Sequence, residues 1–181
     1  MSDKESESKH YLPFIGLLED YVGRSPWDYY SWGHIAFGIA SFTIFSLIIN
    51  LWEYFVGPAT MPWYYLLIFV IILAIGWEII ENTILWKLGL KYENRKDSFI
   101  NALFDIIFMI IGGLASWFLK WIIMDLINEL GRYYYLAALC LFILVLIAYF
   151  IGFYVTNKNT KKARQERQKV ISKFFFLFSL F

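Results

Sequence analysis

Apolar residues fall into four long runs along this chain, and short segments rich in proline, glycine or charge separate them. The runs cover residues 32–56, 63–86, 99–124 and 133–155. Each is long enough to cross a bilayer as a helix, which takes about 20 mostly apolar residues. The pattern predicts an all-α membrane protein with four transmembrane helices.

The segments outside these runs are polar or mixed. Residues 1–10 lack the apolar core and cleavage site of a signal peptide, so we expect a disordered polar N-terminus. Residues 11–31 mix aromatic and charged side chains, which favours a segment in the membrane interface. Residues 157–181 join a basic run to an aromatic end and predict a cytoplasmic tail. The transmembrane domain is therefore expected over residues 32–156.

Composition agrees with this prediction. Hydrophobic residues make up 60% of the chain and charged residues 17%, which excludes an ordinary soluble domain, where about 25% of residues are charged. Cys140 is the only cysteine, so an internal disulfide or a cysteine metal cluster is excluded. The partners we expect are membrane lipids and further copies of the chain in a homo-oligomer, and no nucleic acid.

Charge distribution predicts the orientation. If the N-terminus is cytoplasmic, the non-cytoplasmic side receives only Lys120 and Arg132 of the 16 Lys and Arg residues, which leaves 14 on the cytoplasmic side. Such an asymmetry follows the positive-inside rule. We therefore expect a multi-pass protein of the cell membrane with its N- and C-termini in the cytoplasm.

Three of the predicted helices carry one polar face each, at the spacing of three and four residues that a helix requires. The faces are Ser31, His34, Gly38 and Ser41 on the first helix, Glu78, Glu81 and Asn82 on the second, and Ser98, Asn101 and Asp105 on the third. Polar faces inside apolar helices are expected to face one another rather than lipid. The pattern therefore predicts that the three faces meet inside the bundle.

The faces also match in depth, because successive helices cross in alternating directions. At 1.5 Å per residue, Glu81 lies about 7 to 8 Å before the second helix ends, and Asp105 about 10 Å beyond Ser98. His34 lies just inside the first helix. The sequence thus predicts one buried cluster near the cytoplasmic face, made of His34, Glu78, Glu81, Asn82, Asn101 and Asp105.

Such a cluster is costly unless it is neutralised. One unpartnered carboxylate at the centre of a spanning helix opposes insertion by about 2.5 to 3.5 kcal/mol. His34 is the only basic side chain predicted inside, so the three acids leave a negative excess. A divalent cation, shared protons, or a ligand that is cationic or combines phosphate with a metal would neutralise it.

One hypothesis is a catalytic site that acts on a lipid or isoprenoid headgroup. Its catalytic residues would be His34, Glu78, Glu81 and Asp105, with a divalent metal ion on the three acids and with Asn82, Asn101 and Ser98 orienting the ligand. The chain contains no HExxH motif, nucleophile elbow or phosphate loop that would specify the reaction.

Two hypotheses from other classes stay open. Chains of Asp, Glu and His are typical of proton and ion pathways, so the cluster also fits a transporter of protons, metal ions or small cations. The outer halves of the second and third helices carry no polar stripe, which argues against a pore. Polar clusters also hold helices together, and the protein would then be a non-catalytic scaffold or assembly partner.

Three motifs resemble a known pattern: SWGHIAFG, GWEIIEN and DSFINALFDIIFMIIGG, which occur in order within residues 28–115. They are similar to an uncharacterised bacterial inner-membrane family with Ser-x-x-His, Trp-Glu-x-x-Glu-Asn and Asp-Ser-x-x-Asn-Ser-x-x-Asp motifs, and more loosely to VanZ-like membrane proteins. Ala102 stands where that family has its second serine. The resemblance implies a small multi-span membrane protein and no particular reaction.

Overall fold

The computed structural model describes residues 21–58, 61–91, 95–127 and 131–178. It contains four long helices: α1 (Tyr29–Phe55), α2 (Trp63–Ile80), α3 (Phe99–Lys120) and α4 (Gly131–Phe178). All four are long and apolar enough to cross a membrane, and the described residues form no strand, which confirms the all-α prediction. The predicted N-terminal segment 1–10, and residues 11–20 of the next, lie outside the described residues.

Two helices end in wider π-helical turns. Glu81–Leu85 continues α2, and Trp121–Leu126 continues α3. π-Helical turns are rare and occur frequently at functional sites. The turn after α2 contains Glu81 and Asn82, two residues of the predicted cluster.

Helix α1 begins at Tyr29, three residues before the predicted apolar run, because Asp28 caps it. The Asp28 carboxylate accepts a hydrogen bond from the Tyr30 N–H (2.8 Å), and the Ser31 hydroxyl accepts one from the Asp28 N–H (3.1 Å). This reciprocal capping satisfies backbone donors that no helical carbonyl can reach. The start of α1 is thereby fixed beside the predicted cluster.

Helix α4 is far longer than a bilayer requires. Its 48 residues extend about 70 Å at 1.5 Å per residue, more than twice the thickness of the hydrocarbon core. The helix therefore continues through the basic part of the predicted tail, up to Phe178, without a break at residue 157. The basic segment is therefore helical and continuous with the apolar part of α4.

Helix α1 lies at the centre of the bundle, where it packs against α3 and α4 most extensively. Helix α2 packs mainly against α3, and in the described part of the chain it makes no contact with α4. One side of α1 therefore remains open between α2 and α4.

Glycines let the backbones of α1 and α3 touch. Gly38 lies against the carbonyl of Met109, and Gly112 lies against the carbonyl of Ile35. A Cβ added at either glycine would overlap these backbone atoms. Small residues at such crossings permit the close helix packing that stabilises membrane bundles. The crossing lies one turn from His34 and one turn from Asp105, so it sets the distance between them.

An apolar layer follows the crossing. Phe42, Val70 and Met109 are fully buried there. Farther along the helices the Ser116 hydroxyl lies 2.9 Å from the Thr43 hydroxyl and 3.0 Å from that of Tyr134. The apolar layer thus lies between the predicted cluster and a small hydroxyl network that begins near the middle of α1.

We predict that Gly38→Ala and Gly112→Ala each destabilise the protein by about 3 kcal/mol, because the new methyl group forces the two backbones apart. Thermal or SDS unfolding in mild detergent measures the change. Gly76→Ala is the matched control, since nothing lies within 4 Å of a Cβ there. Equal stability of all three variants would contradict the close crossing.

Candidate functional site

His34 lies between two acids at the centre of the predicted cluster. Its Nε2 atom is 3.7 Å from Asp105 Oδ2 and 3.9 Å from Glu78 Oε1. All three residues are buried, with exposed fractions of 8% for His34, 6% for Glu78 and 3% for Asp105. The structure therefore brings together polar residues from α1, α2 and α3 at one level.

Two carboxylate oxygens in this group lack a hydrogen-bond donor among the described residues. They are Glu78 Oε1 and Asp105 Oδ1, and both are fully buried. A buried acceptor without a partner costs about 1 to 3 kcal/mol, and more when it is charged. The site therefore has unused capacity to bind a cation or a donor from a ligand.

Asn82 connects α2 to the segment before α3. Its side-chain nitrogen donates to Glu78 Oε2 (3.2 Å). Its side-chain oxygen accepts from Lys91 Nζ (2.8 Å) and from the Asp97 N–H (2.9 Å). The predicted orienting role of Asn82 thus includes orienting Glu78.

Lys91 is a second base in the cluster, which the sequence did not indicate. Its ammonium pairs with Asp97 and lies 3.7 Å from Glu81 Oε1, and only 6% of its side chain is exposed. Sequence patterning places Lys91 in a charged loop, but Gly89, with φ +69°, turns the loop back towards α2. Gly89 was the only feature of the sequence that could have indicated the inward position of Lys91. Lys91 therefore offsets one of the two charges of Glu81 and Asp97, and Glu78 and Asp105 remain beside His34.

The side chains of Ser98 and Asn101 form hydrogen bonds to the backbone of the protein. Ser98 caps α3 by accepting from the Asn101 N–H (3.1 Å), and its hydroxyl donates to the carbonyl of Arg24 (3.0 Å). The Asn101 side chain donates to the carbonyl of Ser25 (2.8 Å). These bonds fasten the turn over residues 21–28 to the start of α3, so this part of the predicted interfacial segment covers the site.

Asp28 adds a further acid on this side. Burial raises its pKa to about 6, although hydrogen bonds from the N–H groups of Gly23 and Tyr30 favour the carboxylate. Asp28 therefore keeps its charge at neutral pH and loses it in mild acid.

A cavity of about 140 Å³ opens beside His34, large enough for several water molecules or a small polar group. Acidic and basic side chains line it together: Glu81, Asp97 and Asp105, with Arg24, Lys91, Arg95 and Lys96. Lys96 is itself fixed over the ring of Trp86, 4.2 Å from its centroid. Glu81 and Asp105 lie within the helices, whereas Asp97, Arg24, Arg95 and Lys96 come from the segments outside them.

Three side chains are spaced as the ligands of one metal ion would be. One ligand atom each from His34, Glu78 and Glu81 lies within 4.8 Å of the other two. Two donors on opposite sides of one ion are separated by twice the metal–ligand distance, about 4 to 5 Å for common divalent cations. The sequence groups Asp105 with the two glutamates, whereas the structure groups His34 with them.

Comparisons with known protein families, with curated proteins and with solved structures find no match for this chain. The resemblance to the inner-membrane family and to VanZ-like proteins therefore stays a prediction. Functional inference rests on the geometry of the site.

We predict that the purified protein binds one Mn²⁺ or Zn²⁺ per chain, measured by metal analysis and titration calorimetry after gel filtration. His34→Ala and Glu78→Gln should each weaken binding by about 100-fold, because each removes a ligand atom. Glu53→Gln is the control, since Glu53 is exposed at the opposite end of α1. Stoichiometric metal that is indifferent to all three substitutions would show that the ion binds elsewhere.

Proposed function

We propose that this chain is a membrane enzyme that hydrolyses a phosphate ester in the headgroup of a lipid or isoprenoid. One observation carries the proposal: a buried His34–Glu78–Asp105 group, with unpartnered carboxylate oxygens, adjoins a cavity lined by basic side chains. In the orientation that the Lys and Arg distribution predicts, the cavity would open at the level of the headgroup phosphates.

The basic lining supports a phosphate ligand. Arg24, Arg95 and Lys96 lie at the connecting segments, where they can contact phosphate oxygens through charge-assisted hydrogen bonds. The acids farther inside would repel the same anion if they acted alone. A divalent cation bound by His34, Glu78 and Glu81 would remove that repulsion and polarise a phosphoryl oxygen.

The residues can carry out hydrolysis as one displacement. Asp105, which lines the cavity and lies outside the His34–Glu78–Glu81 ligand set, accepts a proton from a water molecule. The water oxygen forms a bond to phosphorus while the bond from phosphorus to the lipid oxygen breaks. The lipid oxygen takes up a proton, so the products are the lipid alcohol and inorganic phosphate. Asp105 Oδ2 lies 3.7 Å from His34 Nε2, so this base lies beside the residues that would hold the cation.

The apolar layer favours an enzyme over a transporter. Phe42, Val70 and Met109 are fully buried between the His34 site and the hydroxyl network around Ser116, where α1 contributes one buried polar side chain, Ser41. A proton or ion pathway needs polar groups or water across that layer. The arrangement supports a site that opens to one side only.

The proposal includes the orientation of the protein in the membrane. The distribution of Lys and Arg supports a cell-membrane protein with both termini in the cytoplasm, and the cavity then faces the inner leaflet. The basic extension of α4 emerges on that side, where it would contact anionic headgroups.

We predict release of inorganic phosphate from long-chain alkyl or isoprenyl monophosphates by the protein in detergent micelles. Asp105→Asn should lower kcat by about 10²- to 10⁴-fold, the usual contribution of a general base. Glu81→Gln should also lower kcat, because it removes a ligand and weakens the binding of the cation. Glu53→Gln should keep full activity. The proposal fails if a His34→Ala, Glu81→Gln double variant releases phosphate at the wild-type rate.

The orientation predicts opposite labelling of two introduced cysteines in a Cys140→Ser background. A membrane-impermeant maleimide should react with Pro58→Cys in intact spheroplasts of a bacterial expression host, and with Lys158→Cys only after lysis. Both positions are exposed. The reverse pattern would place the site on the outer side.

A further inference from the structure

An apolar groove runs along the open side of α1. Its floor is α1, and its walls are α2 and α4, which do not contact each other in the described part of the chain. The groove has a volume of about 420 Å³. Its apolar lining includes Phe37, Trp77, Leu146 and the ring of Tyr149.

The groove joins the polar cavity. Tyr30, His34 and Glu81 line both spaces. From these shared residues the cavity extends towards the connecting segments, whereas the groove extends along α1 to Phe37 and along α2 to Trp77. Polar and apolar spaces thus follow each other in the order in which a lipid presents its headgroup and its chain.

We propose that the groove binds the hydrocarbon chain of the lipid whose phosphate occupies the cavity. This inference rests on the proposed function and names its substrate class: an amphiphile with a terminal phosphate and a linear chain. The substrate enters sideways from the bilayer, between α2 and α4, and never leaves the membrane.

The surroundings of the groove support a chain rather than a second protein segment. The groove opens sideways from helices that are apolar enough to span a membrane, so hydrocarbon is the medium at its opening. Phe37 and Trp77 pack edge to face, with ring centroids 5.6 Å apart, and give the groove an ordered wall. Basic side chains occur only at the cavity end of the two joined spaces, within the described residues, where the phosphate would lie.

A larger side chain introduced at Gly33 can fill the groove. A Cβ there would meet the Tyr149 ring at 3.5 Å, an ordinary contact, so Gly33→Leu places its branched end in the groove without a backbone clash. Leu146→Trp fills the same groove from α4. Gly76→Leu is the matched control, because a Cβ at Gly76 has nothing within 4 Å.

Two substrates separate chain binding from chemistry. For dodecyl phosphate, Gly33→Leu and Leu146→Trp should lower kcat/KM by at least about tenfold, the effect of excluding two methylene groups from an apolar site. For butyl phosphate, whose chain is too short to fill the groove, both variants should match the wild type. Gly76→Leu should leave both reactions unchanged. An equal loss of kcat/KM for both substrates, or no loss for either, would contradict binding of the hydrocarbon chain in the groove.

Photolabelling tests the groove without turnover. Dodecyl phosphate with a diazirine at its chain end should label groove residues in lipid nanodiscs, and unlabelled dodecyl phosphate, but not dodecanol, should compete. Labelling spread evenly over all lipid-facing helices, or unchanged in Gly33→Leu, would overturn the inference. Labelling confined to the groove without phosphate release would support it and contradict only the proposed hydrolysis.

Discussion

The backbone contact between α1 and α3 is the constraint on which the site depends. Gly38 against the Met109 carbonyl, and Gly112 against that of Ile35, bring the helices closer than any side chain would allow. His34 and Asp105 lie one turn away from this contact, so their 3.7 Å separation follows from it. Helix α2 then adds Glu78 by packing on α3, and the three polar faces close around one point.

Charge within the cluster is distributed unevenly. Glu81 and Asp97 share the single positive charge of Lys91 at the edge of the cluster, while Glu78 and Asp105 keep buried oxygens without a donor among the described residues. A structural network would be expected to satisfy all its members, because each unsatisfied buried group lowers stability. The unsatisfied pair therefore points to a site that is completed by what it binds, and it lies beside the cavity and the groove.

Much of the fold could be predicted from the sequence, because lipid leaves a chain few choices. Without water, every backbone group must be bonded within a helix, so the lengths of the apolar runs predict four helices long enough to span a membrane. The polar faces could be predicted for the same reason, since buried acids such as Glu78 and Asp105 must avoid lipid. The capping of α1 by Asp28 was not predicted, because the apolar run begins only at residue 32.

By itself, then, the sequence determined the helices, their polar faces and the level at which those faces meet. Only the tertiary structure decided which atoms approach each other: that His34 joins Glu78 and Glu81 as a possible ligand set, and that Lys91 turns inward. It also decided that α2 and α4 stay apart and leave a groove. Periodicity fixes the face of a helix, but distances between helices depend on glycine contacts and loop turns that periodicity does not encode.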